Sequence, residues 1–269
     1  MTQSTTQKPL ALVTGASAGI GYELAKQFAE NGYDLVVTAE DSQIAEAATA
    51  IQGAGAHVDY FQVDLTEIDG PAKLYEFVKS LDRPLMVAAL NAGAGVGGDF
   101  ARETSIEDEL DIIHLNVRST VLLAKMVVKD MLTRGEGKIL FTSSVVGILY
   151  APLQAVYGGT KAFVQSFGMS LRNELKDTGI TVTVLQPGAT ETAFFNDRGL
   201  EDTKVAHAKK DDPALVAKQG FKALMNGDSH VVAGSLLNKA QVAIGKILPE
   251  AAKAAVTRSY GEKEKNPEA

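Results

Sequence analysis

The chain has no cysteine, and only four histidines among its 269 residues. Without cysteine there is no disulfide framework, no thiolate metal site and no thiol nucleophile. His57, His114, His207 and His230 are scattered without metal-ligand spacing, so no metal is expected. No apolar run is long enough to span a bilayer, and no membrane partner is expected. Residues 1–8 are polar and lack the apolar stretch of a signal peptide, which points to a cytoplasmic protein. Basic residues are outnumbered, 26 Lys and Arg against 33 Asp and Glu, for a net charge of -7. A nucleic-acid partner needs a clustered basic surface, so none is expected.

What is present is a regular alternation. With 45% hydrophobic residues the chain can bury a large core. Short β-rich runs at 10–14, 34–38, 57–63, 85–90, 138–143, 181–186 and 230–233 alternate with amphipathic stretches near 20–31, 42–53, 67–81, 106–133, 152–178 and 213–227. That order predicts parallel βαβ units in one α/β domain, a doubly wound parallel sheet of about seven strands with helices on both faces. No Pro- or Gly-rich linker divides it. The domain is expected over 9–260, with flexible ends at 1–8 and 261–269. A stretch of mixed charge at 191–212 reads as a long functional loop, and 235–257 as helix of unassigned role.

The first strand runs into Thr14-Gly15-Ala16-Ser17-Ala18-Gly19-Ile20-Gly21 and then a helix. A glycine turn between strand and helix lets backbone approach a pyrophosphate, and the helix start offers oriented N–H groups. Glu40, followed by Asp41, ends the second strand. Its carboxylate suits an adenosine ribose diol and repels a 2′-phosphate, favouring NAD over NADP; alternatively it faces solvent. Asp64 and Leu65 follow the third strand. Asp64 either bonds an adenine amine or caps the next helix. Further along, Tyr157 and Lys161 stand four apart, on one helix face, with Ser144 upstream. An ammonium beside a phenol favours phenolate, lowering a pKa from about 10.

Taken together, Thr14-Gly15-x3-Gly19-x-Gly21, Asp64, Asn91-Ala92-Gly93, Asn116, Ser144, Tyr157-x3-Lys161 and Pro187-Gly188 resemble the short-chain dehydrogenase/reductase family over 10–233. The resemblance implies a Rossmann-type oxidoreductase that binds NAD or NADP. Tyr157 would be the general acid/base and Ser144 would hold the substrate oxygen. Lys161 would bond the nicotinamide ribose, and Asn116 would keep a water on the proton path. Gly15, Ser17, Gly19, Ile20, Gly21, Leu65, Asn91, Ala92 and Gly93 would line the cofactor, and Pro187, Gly188, Thr190 and Thr192 its nicotinamide end. Thr190 departs from the branched aliphatic residue frequent there, and Thr192 has the second reading of a cap. The resemblance also implies a homodimer or homotetramer.

Apolar residues after Ser144, and Phe194 with Phe195 in an expected lid over 191–212, suit a hydrophobic secondary alcohol or ketone. The lid cations Arg198, Lys204, Lys209 and Lys210 either face water or meet an anionic handle. The rivals are an NADPH-dependent 3-oxoacyl-carrier-protein-type ketoreductase and a nucleotide-sensing module without turnover.

Overall fold

The computed structural model describes residues 7–196 and 198–263. Strands β1 (Leu10–Thr14) and β2 (Asp34–Ala39) are buried along their whole length. Strands with no polar face need cover on both sides, so they take inner positions in the sheet. The chain continues around them with α1 (Gly19–Glu30), α2 (Gln43–Gln52), β3 (Val58–Gln62), α3 (Gly70–Ser80), β4 (Leu85–Leu90), α4 (Ile106–Ile113) and α5 (Thr120–Arg134). It ends with β5 (Gly137–Thr142), α6 (Ala155–Glu174), β6 (Ile180–Pro187), α7 (Lys204–His207), α8 (Pro213–Asn226), β7 (His230–Ala233), α9 (Leu236–Ile247) and α10 (Glu250–Gly261). The seven strands form one parallel sheet in the order β3-β2-β1-β4-β5-β6-β7, as the alternation predicts.

Two cores hold the helices to the sheet. Leu24, Phe28, Ile44, Ile51, Val216 and Leu224 pack α1, α2 and α8 on one face. Leu74, Leu123, Val127, Met131 and Val164 pack α3, α5 and α6 on the other. Phe28 is fully buried and meets Tyr33 and Phe221 edge-on, at 5.4 and 5.2 Å between ring centroids. Phe28→Ala is therefore expected to cost about 3–5 kcal/mol of unfolding free energy, read from denaturant melts at unchanged slope. A loss under about 1 kcal/mol would mean that the neighbours close the cavity. Helix ends follow local chemistry: Ser105 and Asp212 accept N–H groups at the starts of α4 and α8, and Gly135 and Gly227 end α5 and α8 in the left-handed region.

The strand order reverses between β1 and β4, and a crevice opens there at the carboxyl ends of the strands. Thr14, Asn91 and Ser143 stand at that edge, just where β1, β4 and β5 finish.

Several expected elements differ. The helix expected over 106–133 is broken by a π-helical segment, His114–Ser119, which widens one turn. The helix expected from 152 starts at Ala155. The loop at 191–212 holds a 3-10 turn, Ala193–Phe195, and α7. The stretch at 235–257 forms two helices, because Pro249 cannot donate the hydrogen bond that would join them. Of the expected loose ends, residues 1–6 and 264–269 lie outside the described residues. Lys8 donates to the Gly55 carbonyl, and Lys263 bridges to Thr203. Among the described residues no helix is long and apolar enough to cross a membrane.

Candidate active site

The glycine turn is shaped by what passes close to it. Gly15 and Gly19 have φ of +64° and +59°, where a side chain is strained. A Cβ on Gly21 would lie 1.9 Å from the Gly15 carbonyl oxygen, and one on Gly19 would lie 2.7 Å from Thr192 Cγ2. The turn is tied to the next strands by Thr14, whose hydroxyl accepts the N–H groups of Asn91 and Ala92 at 2.9 and 3.0 Å. The Asn91 side chain donates to the Thr14 and Gly15 carbonyls and accepts from Thr142 Oγ1 at 3.0 Å. Ser17 donates to Asp41 at 2.7 Å, joining the turn to the end of β2.

From this turn a cavity of about 600 Å³ runs past Glu40, Asp41, Val63 and Leu65 to Ser144, Tyr157 and Lys161. Its size suits a cofactor together with a small substrate. Glu40 is solvent-exposed, yet crowding by the chain raises its carboxyl pKa; Asp64 adds to this and Arg198 opposes it. Asp64 itself is occupied locally: its Oδ1 accepts the N–H and hydroxyl of Thr66, both at 2.7 Å. Val63 and Leu65 form the wall there, and Asp64 closes a turn.

The other end of the cavity is assembled from the residues after β5, from α6 and from the π-helical segment. Tyr157 and Lys161 are 8% and 4% exposed, on one face of α6. The Ser144 hydroxyl bonds the Tyr157 phenol, donates to the Pro187 carbonyl at 3.3 Å and accepts from Val146 N–H. Lys161 Nζ donates to the Thr142 carbonyl at 3.1 Å and lies 5.8 Å from the Tyr157 ring centroid. A lowered phenol pKa is the sequence expectation, but here burial outweighs every other influence. It pushes Tyr157 up to about 12 against the opposing Ser144 bond, and brings Lys161 down to about 8. Asn116 is buried and acts as a brace: it accepts from Ala94 N–H and donates to the Ala94 carbonyl and Thr160 Oγ1. The widened turn presents it, and Gly93 leaves the room, since a Cβ there would lie 2.9 Å from Lys161 Nζ.

The remaining wall comes from the far end of the chain. Thr190 donates to the Gly188 carbonyl at 2.9 Å, and Thr192 accepts from Phe194 N–H, its capping reading. Phe194 packs against Tyr157, ring centroids 5.2 Å apart. Asn238 of α9 lies against Gly188 and donates to Asp211, while Leu237, Thr257 and Tyr260 line the same cavity. Sequence reasoning missed these residues, as it missed the Ser17 bond to Asp41. Only the acidic pair Glu40-Asp41 carried a signal; an amphipathic helix does not announce which wall it builds.

A family model described as short chain dehydrogenase matches residues 9–202. The NADP-dependent 3-hydroxy acid dehydrogenase YdfG of Salmonella typhi is 31% identical over 212 residues, covering 77% of this chain and 83% of that protein. A short-chain dehydrogenase from Sphingobium yanoikuyae, solved in complex with NADPH, is 27% identical with a TM-score of 0.78, covering 90% of this chain and 97% of that one. A short chain dehydrogenase/reductase from Burkholderia phymatum, solved with NAD, has a TM-score of 0.82 over 97% of this chain and 99% of its own; at 21% identity that likeness is one of fold. With the family model spanning well over half of the chain, from β1 past β6, the chain belongs to the short-chain dehydrogenase family.

Proposed function

We propose that this enzyme interconverts a secondary alcohol and a ketone or aldehyde, using NAD or NADP. The observation that carries the reading is one cavity lined by the glycine turn at one end and by buried Ser144, Tyr157 and Lys161 at the other. The residues fit such a cofactor: Gly15, Gly19 and Gly21 form a floor that side chains would fill, and Gly93 leaves space at Lys161. Ser17, Ile20, Asn91 and Ala92 would flank the phosphates and ribose, and Pro187, Gly188, Thr190 and Thr192 the nicotinamide. When bound, the nicotinamide supplies or accepts the hydride.

The chain's own part is to place and move a proton. Tyr157 gives its proton to the substrate oxygen on reduction and takes it back on oxidation. Ser144, already bonded to the phenol, holds that oxygen beside it. Lys161 supplies positive charge next to both the phenol and the ribose. Asn116 keeps the Ala94 backbone and α6 in register, and a water held there would feed Lys161. Phe194, on the segment 191–212, covers Tyr157 and excludes solvent, so this segment is the lid of a catalytic unit spanning 9–260. Exposed Leu122 and Phe163 on α5 and α6 offer the contact for a homodimer or homotetramer.

The experiment is a screen of aliphatic and aromatic ketones with NADH and NADPH. Tight cofactor binding with no turnover of any ketone would favour the sensing module instead. Glu40 and Asp41 side by side support NAD, because a 2′-phosphate would meet two carboxylates. Glu40→Arg is expected to move the ratio of kcat/KM values toward NADP by about tenfold or more, like charge being replaced by opposite charge. An unchanged ratio would leave Glu40 outside the ribose site. The NADP-dependent relative favours a second reading, an NADPH-dependent reductase of 3-oxoacyl substrates that in reverse, with NADP, oxidises 3-hydroxy acids. Tighter NADPH than NADH would select it.

A further inference from the structure

We propose that Lys209 is a subsite for an anionic group, such as a carboxylate, carried by the substrate apart from its reacting carbon–oxygen bond. The inference rests on the oxidoreductase reading and narrows its substrate to an apolar ketone or alcohol with an acidic end. Four cations stand in the lid segment, and three of them have carboxylate partners. Arg198 meets Asp111 at 3.7 Å, Lys204 meets Glu262 at 2.7 Å, and Lys210 meets Glu191 at 3.1 Å. Among the described residues Lys209 has no such partner, and it alone of the four lines the cavity.

Its position is fixed by its neighbours. Two residues on, Asp211 pairs its backbone with Ala189 and Glu191, both at 2.9 Å. The Asp211 carboxylate accepts from Asn238 and from Ser235 N–H, binding the segment to α9. Lys210 turns away, over the Phe195 ring and toward Glu191. The same cavity is lined by apolar Val205, Ala208, Leu237 and Leu149. The cavity's other charged lining residues are Glu40 and Asp41 near the glycine turn, and Lys161 at the reacting centre. A substrate anion is repelled by the first two, and Lys161 is committed to Tyr157 and the ribose. Lys209 remains as the cation free to receive it.

The test uses a matched pair of ketones, 2-octanone and 7-oxooctanoate, with the full chain and saturating cofactor. Wild type is expected to favour 7-oxooctanoate in kcat/KM by about fivefold, the scale of a solvent-accessible ion pair. Lys209→Gln should erase that selectivity ratio, Lys209→Arg should keep it, and Lys204→Gln, outside the cavity, should leave it intact. Calorimetry with octanoate supplies a readout without turnover: it should bind the cofactor-loaded wild type about fivefold more tightly than Lys209→Gln. A ratio indifferent to Lys209→Gln overturns the subsite. So does weakened cofactor binding in Lys209→Gln with octanoate unaffected, since the lysine then serves the cofactor's phosphates. If neither ketone reacts yet octanoate binding falls in Lys209→Gln, the subsite stands and the reaction assignment fails.

Discussion

Tyr157→Phe is expected to lower kcat by about 10²–10⁴-fold, the range spanned by a positioned general acid/base. The substitution deletes one oxygen and keeps the ring, so contact with Phe194 survives. Ser144 loses one of its bonds but still donates to the Pro187 carbonyl and accepts from Val146, so no polar group is orphaned. Folding and cofactor affinity should therefore hold while turnover collapses. Rapid-quench or steady-state kcat, set beside a calorimetric cofactor titration, separates the two. A kcat within a few-fold of wild type would remove the phenol from the proton path. A matching loss of cofactor affinity would recast the residue as part of the binding wall.

The second large effect is on pH. Burial lowers the Lys161 pKa from 10.5 to about 8, so the ammonium present at neutral pH is lost as pH rises through that value. Tyr157 moves the other way, up to about 12, and keeps its proton throughout the same range. The proton donor thus persists while its cationic support disappears. In ketone reduction, kcat/KM is expected to be level below about pH 8 and to fall about tenfold per unit above it, one group titrating in the free enzyme. Two units of alkaline pH then cost about a hundredfold, as each unit of a single titration is a factor of ten. Lys161→Arg, whose guanidinium holds its charge, should abolish the descending limb in whatever activity it retains. A profile flat to pH 10 in the wild type would show that the lysine's charge is not needed.

The sheet is legible in the sequence because its strands are local statements. Leu10–Thr14 and Leu85–Leu90 are apolar on both faces, and a run of that kind between helical stretches has few other places to go. Ser144, Tyr157 and Lys161 are legible because spacing on adjoining elements sets their meeting point. The Asn116 brace is not, since the bonds that make it run to Ala94 and Thr160, far away along the chain. Nor is the raised phenol pKa: the sequence shows the lysine four residues away, but the degree of burial is a property of the whole fold. Asn238 and Tyr260 were beyond reach for a related reason. Their helices are amphipathic wherever they pack, and only the tertiary structure shows them closing the cavity.

The last wall of that cavity lies beyond the residues that the family model matches, 9–202. Part of the cavity's lining thus comes from a length of chain that the family model does not span. Under the proposed reaction, substitutions in α9 and α10 would reshape the cavity while leaving Ser144, Tyr157 and Lys161 in place. For the bench the same division has a plain meaning. Tyr260 and Gly261 of α10 line the cavity, so a purification tag at the carboxyl end is expected to disturb substrate range more than one at the amino end.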